Sequence, residues 1–266
     1  MENDALMAKR LIEQTLTNWV NPELEKRKSE NKLNPDFKLK AAQIIFSVGG
    51  SPLVRINSEV KVIVKAKFNR PIKKGEAVFN KDIEDIRSFH LIEEEKDFGH
   101  ITIVRLVKGW FVGFSFIYDV SKSKELYDIA AEFMKSAYAD LQEKRHRPFI
   151  ESALIAAENL AKARIYLLPD EEIRKAKTHG LVQSKVNRYA QTNSIIKLDQ
   201  KDVFNELIKL RDKARYDPMF SLNHSKAEKI FEALKELSKE VFIYLVRFGE
   251  LSDKTESFNS VLPKAV

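Results

Sequence analysis

The chain has 266 residues, of which 44% are hydrophobic and 32% charged, with no cysteine. This composition fits a soluble chain of one large or two ordinary units; it excludes disulfides and thiolate zinc sites, and suits a reducing cytoplasm. The formal charge is +7, with 25 basic and 22 acidic residues in 1–145 and 21 and 17 in 146–266, so there is no basic tail and nucleic-acid contact is permitted but not demanded.

In chain order, MENDALMAKRLIEQ carries acids at Glu2 and Asp4 and no continuous apolar core, which argues against a secretory leader. A helix is expected over about 3–19, with Ala5, Met7, Leu11, Leu16 and Trp19 as its apolar set. Asn21-Pro22 should end it, and Pro22 should open a short second helix through Lys28. Residues 38–118 then read mainly as strands. VKVIVKAKF alternates, with Val60, Val62, Val64, Ala66 and Phe68 on one face and Lys61, Ile63, Lys65 and Lys67 on the other. GHITIVRLVKGWFVGFSFIYD reads as a hairpin turning at Lys108-Gly109, its second arm placing Trp110, Val112, Phe114, Phe116 and Tyr118 on a core stripe.

Beyond Asp119 the apolar period changes to that of a helix. Helices are expected over about 122–144, from Pro148 to about Leu168, 170–190, Asp202 to Tyr216, and Ser225 to Arg247. Short connections between helices imply antiparallel neighbours. The expected class is α+β: an antiparallel sheet domain with flanking helices in 1–120, an antiparallel helical bundle in 121–250, and a loose polar tail in 251–266. No run is long and apolar enough to cross a membrane.

The fourth helix of the bundle raises the functional question. Arg211 follows Phe204, Leu207 and Ile208 at spacings of seven, four and three, so it shares their apolar face, and Arg215 lies four further on. A charged head on an inward face needs a partner. Glu158, placed between Leu154 and Ala161 in the stripe of the second helix, offers one as a structural ion pair. The same arginines could hold a phosphate.

Three stretches carry a resemblance. FIESALIAAENLAKARIYLLPD, KTHGLVQSKVNRYA with Lys177 and His179, and LIKLRDKARYDP together resemble the HEPN family of helical-bundle proteins associated with nucleic acids. The resemblance covers about 122–247. It implies a dimeric bundle, RNA or another nucleic acid as partner, and, in many members, metal-independent RNA cleavage by an arginine followed after four to six residues by a histidine. In this chain Arg211 can supply the arginine, but Tyr216 stands where the histidine is expected, and His224 is too far along. Cleavage needs groups that take and return protons near neutrality, and an unperturbed tyrosine titrates near 10.

Other signals are weaker. The Lys61, Lys65, Lys67 row could track a phosphate backbone or simply protect an exposed strand. The histidines lack metal-ligand spacing, no phosphate loop or dinucleotide fingerprint occurs, and no metal or cofactor is expected. Three functions stay open: a non-catalytic binder of nucleic acid or a nucleotide through Arg211, Arg215 and Lys177; a ribonuclease with an altered site of Arg211, Tyr216 and His179; or a structural, partner-binding module.

Overall fold

The computed structural model describes residues 2–107, 109–192 and 195–247. The expected tail over 251–266, Lys108 of the expected turn and residues 193–194 of the connection before the fourth bundle helix lie outside them. The chain divides into two compact units, Met1–Tyr118 and Asp119–Val266.

The first unit opens with α1 (Glu2–Thr15), which passes through one π-helical turn (Leu16–Val20) directly into α2 (Asn21–Ser29). The helix therefore does not end at Asn21-Pro22. Pro22 has no N–H to donate to the preceding turn, and the wider π-helical turn before it, in which Asn21 N–H reaches back to Leu16 O, absorbs the change of register. Six strands follow: β1 (Ala41–Phe46), β2 (Leu53–Ile56), β3 (Ile63–Phe68), β4 (Ile83–His90), β5 (Gly99–Leu106) and β6 (Gly109–Ser115). β2-β1-β5-β6 form an antiparallel sheet and β3-β4 a separate antiparallel pair.

One face of the larger sheet buries Ala42, Ile44, Ile56, Ile101 and Ile103 against Val20, with Leu11, Leu16, Trp19 and Leu24 packed around them. Each fully buried aliphatic chain of this kind is worth roughly 1.5–3 kcal/mol. On the other face, a Cβ at Gly113 would meet the Phe89 ring at 2.2 Å, so glycine is what lets β4 approach β6. This face is polar inside. The Gln43 side chain donates to Lys61 O (2.8 Å) and accepts from Arg55 (3.2 Å), and Arg55 forms a two-pronged pair with Glu95 (2.7 and 2.6 Å). The expected aromatic stripe is only partly core. Trp110 and Val112 pack on the buried cluster and Tyr118 is buried, but Phe114 and Phe116 are about half exposed, at the far end of the strand and beyond it.

The second unit contains α3 (Val120–Gln142), α4 (His146–Tyr166), α5 (Glu171–Arg174), α6 (His179–Thr192), α7 (Leu198–Tyr216) and α8 (His224–Arg247). The third expected helix is thus two, α5 and α6, and α7 begins one turn earlier than expected. α4 is central. Its buried Ala153, Ala156, Ala157, Ala161 and Ala163 let α3, α7 and α8 approach closely. The Ser123 hydroxyl, donating to Ala163 O (2.8 Å), ties the start of α3 to the end of α4. α8 runs parallel to α4: His146 meets His224 at one end and Arg164 stacks on Tyr244 at the other.

α5 and α6 are anchored by Asp170. It caps α5 by accepting from Ile173 N–H (3.0 Å), and accepts from Lys185 (2.8 Å) and Tyr189 (2.7 Å) of α6. Burial alone would raise the Asp170 carboxyl, but these hydrogen bonds outweigh it and hold the group below its ordinary value. Burial and the same contact push the Tyr189 phenol up to about 12.

Candidate functional site at the end of the bundle

Arg211 and Arg215 do share one side of α7, and that side meets α4. Their partner, however, is Glu151. Arg215 is held by two hydrogen bonds to the Glu151 carboxylate (2.5 and 2.6 Å), and Arg211 Nε lies 3.8 Å from the same group. The expected Arg211–Glu158 pair is therefore corrected. α7 runs antiparallel to α4, and the register that seats Phe204 near Ala157 and Ala161 brings Arg211 and Arg215 to the first turns of α4. Glu158 lies seven residues beyond Glu151, about 10 Å along the helix axis.

Glu158 has other partners. Lys162 Nζ approaches it at 2.8 Å, and the ring Nδ1 of His179 hydrogen-bonds its second oxygen. His179, the first residue of α6, is thus drawn to the middle of α4 and away from Arg211. Lys177 is exposed in the short segment before α6, not within the helix. Tyr216 closes α7 with 78% of its surface exposed.

Three side chains that sequence reasoning did not bring to this end of the unit complete it. Arg147 donates to the carbonyls of Ala214, Asp217 (2.7 Å) and Pro218 (3.1 Å), and its guanidinium lies 5.4 Å from the Phe220 ring. Ala214 lies in the last turn of α7 and Asp217 caps it, where a helix leaves carbonyls without intrahelical donors, and Pro218 is the next residue. His146 and His224, the first residues of α4 and α8, face each other at 5.8 Å between ring centroids. The inward nitrogens, Nε2 of His146 and Nδ1 of His224, are buried without a hydrogen-bond partner. Burial, then the neighbouring His224 and Lys144, hold His146 below its ordinary value. The two histidines are 78 positions apart, so only the parallel course of α4 and α8 unites them.

This is the end of the helical unit at which cations, an exposed phenol and two imidazoles collect. A family model for the HEPN domain matches residues 123–244. The helical unit is a HEPN domain. No curated protein and no solved structure matches the chain.

Within the HEPN domain, an open groove between α6 and α7 carries an amide ladder, Gln183 to Asn205 and Asn205 to Asn187, each link 2.7 Å, with Lys209 and Lys213 along its rim. Outside the domain, the expected lysine row is exposed, but Lys61 precedes β3 and Lys67 is paired with Glu84 (2.8 Å), so Lys65 alone of the three is a strand cation with no ion pair among the described residues. No cluster of three or more potential ligands for a metal occurs among the described residues, and no described helix is long and apolar enough to cross a membrane.

Proposed function

We propose that this protein binds RNA, or another nucleic acid or a nucleotide, through its HEPN domain without cleaving it, as a dimer joined through the helical bundle. The observation that carries the reading is the Arg211–Glu151–Arg215 arrangement beside the exposed Tyr216. Two guanidinia share one carboxylate, so the set keeps a net positive charge, and an exposed phenol lies next to it as a stacking surface. Arg211 and Arg215 keep 24% and 40% of their side-chain surface exposed, within reach of an anion.

The absence of cleavage rests on the separation of the proton-transfer groups. Tyr216 occupies the position where a titrating imidazole is expected, and His179 is engaged by Glu158 about two helical turns along α4. The cleaving alternative draws on the His146–His224 pair, which lies at the same end of the bundle as Arg215.

One experiment separates them. Labelled RNA is titrated with the purified full-length protein in EDTA at two salt concentrations, and both retention and product ends are scored. Salt-sensitive retention without new ends is the expected result. New ends that vanish in Arg211→Ala would establish cleavage, and no retention at low salt would defeat both readings.

A further inference from the structure

The larger sheet of the first unit has two edges, and they are finished differently. Arg105 N–H donates to Lys40 O (2.7 Å), which fixes the alternation of main-chain groups across the sheet. On β1 the groups of residues 41, 43 and 45 therefore point toward β2, where Gln43 faces Arg55 and Ile45 faces Leu53. The outward groups of β2 belong to Val54 and Ile56, and side chains occupy them. Arg27 donates to Val54 O (3.3 Å), and Ile56 N–H donates to the Glu59 carboxylate (3.1 Å). Arg27 and Glu59 are themselves joined by two hydrogen bonds (2.6 and 3.0 Å). The β2 edge is closed by a latched ion pair.

The β6 edge has no such latch. By the same alternation, His100, Thr102, Val104 and Leu106 engage Ser115, Gly113, Phe111 and Gly109. The N–H and C=O groups of Trp110, Val112 and Phe114 then point off the sheet, and no hydrogen bond reaches them among the described residues. The strand GWFVGFS is seven residues long and has no charge and no proline, the devices that usually blunt an edge. Phe114 is 50% exposed, and its ring lies 5.8 Å from that of Phe116.

We propose that β6 is the edge through which two copies of this chain join, antiparallel, with Val112 on the two-fold axis. The strand is self-complementary in this register. Each copy supplies three outward N–H and three outward C=O groups that find one another. Trp110 of each copy faces Phe114 of the other on the same side of the sheet, a favourable cross-strand aromatic pair. No charge on either strand opposes the approach. This contact is independent of the nucleic-acid reading and of any pairing through the bundle.

The absence of cysteine makes the test direct. In this register the two 112 positions are opposed, at the Cα separation of about 5.5 Å that a disulfide spans. Full-length Val112→Cys is oxidised gently and run on a non-reducing gel, with Phe111→Cys as the control on the opposite face. The expected result is a covalent dimer at 112, weak or no product at 111, and a loss of at least about ten-fold when Phe114→Lys is added to Val112→Cys. Circular dichroism verifies that each variant is folded. Folded Val112→Cys that stays single, equal cross-linking at both positions, or a product that Phe114→Lys leaves intact would each overturn the proposal. A foreign extended segment as the true occupant would appear as the first of these.

Discussion

Glu151 holds Arg215 by both of its carboxylate oxygens and at the same time approaches Arg211. One acid on the first turns of α4 thus restrains both cations of the α7 face. Glu151→Gln should remove that restraint while keeping the volume. We expect RNA affinity to rise roughly five-fold, the equivalent of about 1 kcal/mol, with a steeper dependence on salt. The cost in stability should be small, below about 1 kcal/mol, because the pair is partly solvated. Fluorescence anisotropy at two ionic strengths measures the first effect and urea melts the second. Unchanged affinity would place the nucleic acid elsewhere.

Helical spacing set Arg211 and Arg215 on one side of α7, the side that meets α4 through Glu151, because that periodicity is local. Choosing between Glu151 and Glu158 required the axial register of two helices about fifty residues apart, which depends on how Phe204 seats among the alanines of α4. The His146–His224 contact was invisible for the same reason. In the sheet unit, alternation located the strands, but it could not tell which aromatic residues the helical layer would cover. Trp110 and Val112 fall under it, while Phe114 and Phe116 do not.

Arg147 gives a second prediction. Its fork ties three carbonyls in the last turn and just beyond the end of α7, near the dipole's negative end. Arg147→Ala should cost about 2 kcal/mol and raise hydrogen exchange over residues 214–220. Arg147→Lys should recover only part of this, since an ammonium does not reproduce the planar fork. Exchange confined to another segment would show that Arg147 does not secure this corner.

Lys185 and Asp170 are both buried and joined at 2.8 Å. Lys185→Met keeps the length of the side chain but leaves the Asp170 carboxylate with only Tyr189 and Ile173 N–H as donors. A loss of about 3 kcal/mol is expected, because a buried acid stripped of its cation is far costlier than the pair was valuable. The double variant Lys185→Met with Asp170→Asn should recover part of it. Because α6 is seated by this pair, the His179–Glu158 contact should loosen too, visible as a shift of the His179 ring resonances. Loss of stability in the double variant equal to that of the single would refute the pairing argument.

His100 makes the sheet unit sensitive to acid. Its ring is buried and shares a hydrogen bond with the Thr102 hydroxyl (3.0 Å); burial, with a smaller contribution from His90, pushes its pKa down to about 4. In the unfolded chain the same imidazole titrates near 6.5. Between these values the unfolded state binds the extra proton and the folded state does not, so stability rises with pH across that window. The contribution is complete above 6.5, is lost progressively as the pH falls to about 4, and does not change further below. The shift corresponds to about 3 kcal/mol. Denaturant midpoints of the sheet unit at pH 7 and pH 4.5, in the parent and in His100→Gln, check this. The parent should lose most of that amount and the variant much less. Equal acid sensitivity in both would place the responsible group elsewhere, with His90→Gln the next variant to measure.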